Sequence, residues 1–337
     1  MRALITGGCG FIGTNTALRF AELGYHVIAL DDLSRPRVTD NRRRLESLAN
    51  IECIQADIRD ADRLARIFQQ VRPDVVVHLA AQVAVTTSVR DPRFDFEVNA
   101  LGTFNVLEAI RQHCPEAVLI NSSTNKVYGG LDDLEVHETE TRYSLPACPH
   151  GIPETRPLDF HSPYGCSKGA ADQYVLDYAR IYGLRSVSLR QSCIYGPHQY
   201  GMEDQGWLAW MALAHTEGRQ ITLYGTGKQV RDVLFVDDLI DCYLAVVERI
   251  DDVAGEAFNI GGGPENTTSL IEYLALLAEL TGRTPITRTA PPRPGDQKVY
   301  ISDIRKATDR LGWRPKIGVG EGVARMLDWL NRIHVAV

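Results

Sequence analysis

No stretch of this chain approaches the ~18 consecutive apolar residues that cross a bilayer, so no membrane span is expected. Its seven cysteines, at 9, 53, 114, 148, 166, 193 and 242, are odd in number, scattered and without a C-x-x-C pair. That excludes a disulfide framework and a zinc site of ordinary spacing. The nine histidines form no H-x-x-x-H pair, and no metal is expected. Thirty-six basic residues against 43 acidic ones leave a net charge of -7, and the longest basic run is Arg42-Arg43-Arg44. An exposed helix face accounts for that triplet, and nucleic acid is not an expected partner. The first residues read as a strand rather than as a charged and apolar leader. A reduced, cytoplasmic setting is the expectation. What the chain does have is 44% hydrophobic residues over 337 positions, enough for one large α/β core with an appended lobe.

Arg2-Ala3-Leu4-Ile5-Thr6 is a short apolar strand that runs into Gly7-Gly8-Cys9-Gly10-Phe11-Ile12-Gly13, followed by a helical pattern to Gly24. Strand, glycine turn and helix in that order make a phosphate cradle. Gly7, Gly10 and Gly13 let the backbone turn and a pyrophosphate approach, and the N–H groups of the new helix, from Phe11 and Ile12 on, face it. A second strand ends at Asp31-Asp32, 18 residues past Gly13, where a carboxylate accepts both hydroxyls of an adenosine ribose. Asp31 would repel a 2′-phosphate, which favours NAD over NADP. Arg35, just beyond Ser34, could instead accept that phosphate; the carboxylate weighs more.

Ile51 to Ala56 is strand-like and ends at Asp57-Ile58, and Val75-Val76-Val77-His78-Leu79 leads to Ala80-Ala81-Gln82. Strands alternating with helices, and apolar throughout, predict a parallel doubly wound sheet with the ligand past the carboxyl ends of its strands. Asp57, Ile58, Leu79, Ala80 and Gln82 therefore fall along the dinucleotide. The pattern predicts a long helix from about Phe94 to Gln112 with Asn99 inside it, then a strand ending at Ser122-Ser123-Thr124. Ser162-Pro163 opens a further helix, with Pro suited to its first turn and Ser to its cap, running to Gly183. That helix puts Tyr164 and Lys168 on one face. A lysine there would draw the phenol pKa from about 10 toward that of a general base. Past Tyr195 the elements shorten and Gly and Pro increase. We place the dinucleotide domain at 1–195, with a strand and helix returning at 232–260, and a substrate lobe at 196–231 and 261–337. Gly261-Gly262-Gly263 reads as a turn rather than a second phosphate loop, and Asp303, Lys306 and Trp313 read as surface and packing residues of a terminal helical cap.

The Thr-Gly-Gly-x-Gly-Phe-Ile-Gly start, Asp31-Asp32, His78-Leu79-Ala80-Ala81, Asn99 with Gly102-Thr103, Ser122-Ser123-Thr124 and Tyr164-x-x-x-Lys168 together resemble the extended short-chain dehydrogenases, specifically the nucleotide-sugar epimerases and dehydratases. Ser123 to Gly129, the run from Tyr164 and Asp204-Gln205-Gly206-Trp207 look most like the 2-epimerases of CDP-hexoses of the tyvelose and paratose type. The resemblance implies a Rossmann-type sheet with a smaller C-terminal substrate lobe, tightly held NAD, a nucleotide-sugar substrate and a homodimer or homotetramer paired through the two long helices. It makes Tyr164 the base, Lys168 its partner and Thr124 a hydrogen-bonding group on the reacting oxygen. Asn99, Ser122 and Gln191 join the cofactor site, Asn125 and Gln205 the substrate site, and Arg231 and Arg293 hold the diphosphate. Many relatives carry Asn at the position of Cys193, so Cys193 is left out of the expected site. A 4-epimerase, a dehydratase or a non-catalytic NAD-binding sensor on the same scaffold are the alternatives.

Overall fold

The computed structural model describes residues 1–292 and 297–335, with side chains to 332. Seven strands, β1 (Arg2–Thr6), β2 (His26–Asp31), β3 (Ile51–Gln55), β4 (Val75–His78), β5 (Val118–Thr124), β6 (Ser186–Gln191) and β7 (Ala257–Ile260), form one parallel sheet in the order β7-β6-β5-β4-β1-β2-β3. Their side chains alternate between two cores. Ala3, Ile5, Val27 and Ala29 join the helices Phe11–Glu22 and Val236–Val253 on one face. Leu4, Ile28, Leu30 and Val76 join Ala61–Val71, Gly102–His113 and Ser162–Tyr182 on the other. Burial on both faces is why β1, β2 and β4 lack a polar alternation. The chain order reverses between β1 and β4, which opens a crevice beyond their carboxyl ends.

The helix expected from Phe94 to Gln112 is interrupted. Pro92–Phe96 passes through a wider π-type turn at Glu97–Leu101 before Gly102–His113 resumes the α form. Asn99 sits in that turn. Its side chain is held by the backbone of Gln82 on both polar atoms, at 2.9 Å each, and its carbonyl oxygen accepts from the Thr103 hydroxyl at 2.6 Å. These tertiary bonds favour the wider turn over a regular one, and turns of this kind gather at functional sites.

Cys193–Tyr195 pairs with Val230–Phe235, which also pairs with Thr267–Ser269 and Val299–Tyr300. Ile221–Tyr224 pairs with Thr287–Ala290 beside them. The boundary placed at 231 thus falls inside one continuous strand, which leads directly into the returning helix Val236–Val253. A Cβ on Gly261 would come within 2.0 Å of the Asp232 carboxylate, so that glycine is held by close packing. Trp313 is buried and its indole N–H donates to the Asp238 carbonyl oxygen at 2.8 Å. Among the described residues no helix is long and apolar enough to cross a membrane.

Candidate active site

The crevice above the sheet is one cavity of about 980 Å³ that runs from the glycine turn to the lobe. At its floor Gly7 has φ +67°, and a Cβ on Gly13 would lie 2.2 Å from the Gly7 carbonyl oxygen. Only glycines let this turn and the Phe11–Glu22 helix approach so closely. That helix has no side-chain cap and no acidic residue in its first turn, so its leading N–H groups remain for an anion. The Thr6 hydroxyl orders the switch point. It accepts from the N–H groups of Leu79 and Ala80 at 3.1 and 3.2 Å and meets His78 Nδ1 at 2.7 Å. The other ring nitrogen, Nε2, lies 2.9 Å from Thr103 Oγ1, whose hydrogen goes to Asn99. His78 therefore donates from Nε2 and accepts at Nδ1. Burial, and then the charge of Lys168, push its pKa down to about 3, so it stays neutral.

Asp31 ends β2 with its two carboxylate oxygens turned to the N–H groups of Cys9 and Leu33, at 3.0 and 2.9 Å. Each oxygen keeps a further lone pair for a ligand. Burial raises its pKa. Asp32 accepts from the N–H and hydroxyl of Ser34. Asp57 is clamped by Arg59 at 2.6 Å, a bond that lowers its pKa, and Ile58 packs on Gly102. The Arg35 guanidinium donates to the Gln205 carboxamide oxygen across the crevice, which joins a residue expected at the cofactor to one expected at the substrate.

Tyr164 and Lys168 rise on the Ser162–Tyr182 helix, whose cap position falls to His161 rather than to the expected Ser162 and carries no side-chain bond; the Ser162 hydroxyl accepts from the Gly165 N–H at 3.3 Å within the first turn. Tyr164 hydrogen-bonds Thr124 at the end of β5, and that bond lowers its pKa. Burial outweighs it and pushes the phenol up to about 12, aided by the charge of Asp95. The lowering expected from Lys168 is not produced by the protein groups alone. The lysine ammonium is turned onto the Ser122 carbonyl oxygen at 2.6 Å, and burial lowers its own pKa to about 8 against the opposing charges of Asp172 and Asp95. Thr124 also caps the short turn Asn125–Tyr128 through the Lys126 N–H. Ser122 donates to Gln191, which in turn donates to Tyr243.

On the lobe side, Arg231 is buried on the strand Val230–Phe235 and lines the cavity with Asn125, Gln205 and Trp207. Every expected site residue that the structure describes lines this cavity except Asn99. Asn99 lies behind the wall with its polar atoms spent on Gln82, Asp95 and Ser167, so its place is to hold the loop after β4. Arg293 lies outside the described residues.

The family model described as GDP-mannose 4,6 dehydratase matches residues 4–326. The chain belongs to this family. It is 46% identical to the CDP-paratose 2-epimerase of Salmonella typhi, over 99% of this chain and all of that one. Among solved structures it is similar to the UDP-glucose 4-epimerase of Thermotoga maritima with UDP-glucose, at 34% identity and TM-score 0.84 over 99% and 100% of the two chains. It is also similar to the UDP-glucose 4-epimerase of Thermus thermophilus complexed with NAD, at 33% identity and TM-score 0.83 over 98% and 99%.

Three residues of this family member lie at the site without being expected there, Cys193 because it is set aside and two others because nothing in the sequence marks them. Cys193 lines the cavity after all, and burial raises its thiol pKa. Gln297 reaches from the lobe to donate to the Gly129 carbonyl oxygen at 2.5 Å, and its own oxygen accepts from Asn125 and Lys126 at 3.5 and 3.4 Å. Asp95, wholly buried, holds Gln82 and Ser167. No spacing rule marks either Gln297 or Asp95, because each meets its partners only through the fold.

Proposed function

We propose that the protein is a cytoplasmic NAD-dependent isomerase that inverts carbon 2 of a CDP-hexose of the paratose and tyvelose type. The observation that carries the reading is the reacting face, where the Tyr164–Thr124 pair is followed by an amide and an ammonium, Asn125 and Lys126. A sugar dehydratase needs a carboxylic acid and a carboxylate to remove water after oxidation, and neither of these groups serves. The 46% identity to a CDP-paratose 2-epimerase supports carbon 2 over carbon 4.

The cradle fits NAD: Gly7, Gly10 and Gly13 admit the pyrophosphate, and Asp31 accepts the ribose hydroxyls and disfavours a 2′-phosphate. Bound NAD supplies the hydride acceptor and then the donor. Tyr164 takes the proton of the sugar hydroxyl and later returns it, Thr124 hydrogen-bonds the same oxygen, and Lys168 steadies the phenolate. The keto-sugar turns over between the two half-reactions while Arg231 and Arg293 hold the diphosphate, whose loss a neighbouring 2-keto group invites. We assign residues 196–231 and 261–337 to the lobe that makes this hold, with the strand Val230–Phe235 shared between it and the returning helix.

Incubation with CDP-hexoses bearing a free 2-hydroxyl should yield the 2-epimers, and product formed in D2O should carry no deuterium at carbon 2. Supernatant of the denatured protein should absorb as a nicotinamide dinucleotide. Conversion of UDP-galactose at carbon 4 with CDP-hexoses inert, or accumulation of a 4-keto-6-deoxy sugar, would overturn the reading.

Phe96, Leu101, Phe104, Tyr174, Ile181 and Tyr182 stand exposed on the long helices. We infer that they pair across a two-fold axis into a homodimer or a doubled tetramer. Light scattering at micromolar concentration should give at least twice the mass of one chain, and a monomer there refutes the pairing.

A further inference from the structure

Asp95 lies on the short helix Pro92–Phe96 with no exposed surface. Oδ1 accepts from Gln82 Nε2 at 2.7 Å and from Asn99 Nδ2 at 3.1 Å, and Oδ2 accepts from Ser167 Oγ at 2.5 Å. All three donors are neutral. Holding a carboxylate out of water costs several kcal/mol unless a cation meets it, and among the described residues none does so within ion-pair distance. An asparagine would offer one acceptor oxygen where three donors converge, so it is the pair of carboxylate oxygens that lets one side chain hold Gln82, Asn99 and Ser167 together. The partners show where it acts. Gln82 belongs to the loop that follows β4 into the cavity, and Ser167 immediately precedes Lys168 on the catalytic helix.

We propose that Asp95 is a positioning residue of the Tyr164–Lys168 pair, a buried carboxylate that ties the cofactor loop to the catalytic helix. The charge raises the pKa of both Tyr164 and Lys168. The other groups facing the pair are Asp172, paired with Arg190, and His78, which is neutral. Among the described residues, Asp95 is thus the acidic group beside the pair whose charge no cation contact offsets. The proposal rests on the reading of Tyr164 as base and Lys168 as its partner.

The signs separate this role from simple structural support. Without the charge, Lys168 loses its proton at lower pH and Tyr164 ionises at lower pH. Both limbs of the rate profile should move the same way. Asp95→Asn should displace the pH profile of kcat for CDP-hexose epimerisation downward by at least ~0.5 on the pH scale, the order expected for one charge lost from a poorly screened interior. KM should change little. Ser167→Ala, which keeps the charge and removes one tie, should lower kcat without moving the profile.

The Tyr164 phenolate absorbance near 295 nm, taken as the difference from Tyr164→Phe and titrated without substrate, should show the same downward step in Asp95→Asn. This reading holds even if no CDP-hexose is converted, so failure of the substrate assignment and failure of the Asp95 role are told apart. An unmoved phenolate titration and profile in folded Asp95→Asn would overturn the proposal. Should that variant not fold, Ser167→Ala decides: a profile displaced as far as expected for charge loss shows that the tie, not the charge, is what matters.

Discussion

Tyr164→Phe should cut turnover by at least ~10²-fold, the low end for loss of a general base, while the fold and the NAD content of the protein stay as they are. The ring remains to fill its buried place between β5 and the cavity, and only the phenolic oxygen and its bond to Thr124 are lost. Since burial lifts the phenol to about 12, the ionised fraction grows throughout the accessible pH range. Wild-type turnover should therefore rise with pH until Lys168 loses its proton, and the residual rate of the Phe variant should lack that rise. Lys168→Ala should behave differently and lower both turnover and cofactor content. Near wild-type turnover in Tyr164→Phe would remove the phenol from the proton transfer.

The other large effect is on stability. Asp172, one turn beyond Lys168, forms a buried ion pair with Arg190 of β6 at 2.9 Å and accepts from the Ser188 hydroxyl at 2.6 Å. Arg190 also donates to the Tyr128 hydroxyl at 3.0 Å, and Tyr128 donates to Asn259 at the end of β7. Asp172→Asn leaves a guanidinium in the core without its counter-charge. Removing one partner of such a pair costs about 3–5 kcal/mol, so the urea midpoint should fall markedly, and the loss of a charge that raises the Lys168 pKa should move the lysine's titration down as well. A denaturation midpoint within experimental scatter of wild type would show that water or a rearranged core takes over the arginine.

Much of the site can be read from neighbours along the chain, because glycine turns, strand ends and i,i+4 pairs are local. Gly7 to Gly13, Asp31 and the Tyr164–Lys168 spacing belong to that class, and all of them line the cavity. Most of the sheet is equally legible, since apolar runs that alternate with helices leave few topologies open. What the chain conceals is long-range. Asp95 meets Ser167 across 72 positions and Gln297 meets Gly129 across 168. Asn99 looks like a cofactor ligand until the π-type turn at Glu97–Leu101 directs it at Gln82. The tyrosine pKa departs from its spacing for a similar reason: helical spacing reports that Lys168 is near, whereas burial, which only the folded site supplies, sets the balance at Tyr164, and the Ser122 carbonyl oxygen engages the lysine.

The bond from Lys168 Nζ to the Ser122 carbonyl oxygen has a further consequence. An ammonium carries three hydrogens, and this bond uses one of them. The strand end that receives it, β5, also carries Thr124, so the lysine beside the base and the hydroxyl that meets the reacting oxygen are fixed to one short piece of backbone. Groups that keep their spacing through two successive half-reactions can hand a borrowed proton back to the oxygen it came from. That constancy suits an isomerase, whose second step must retrace the first.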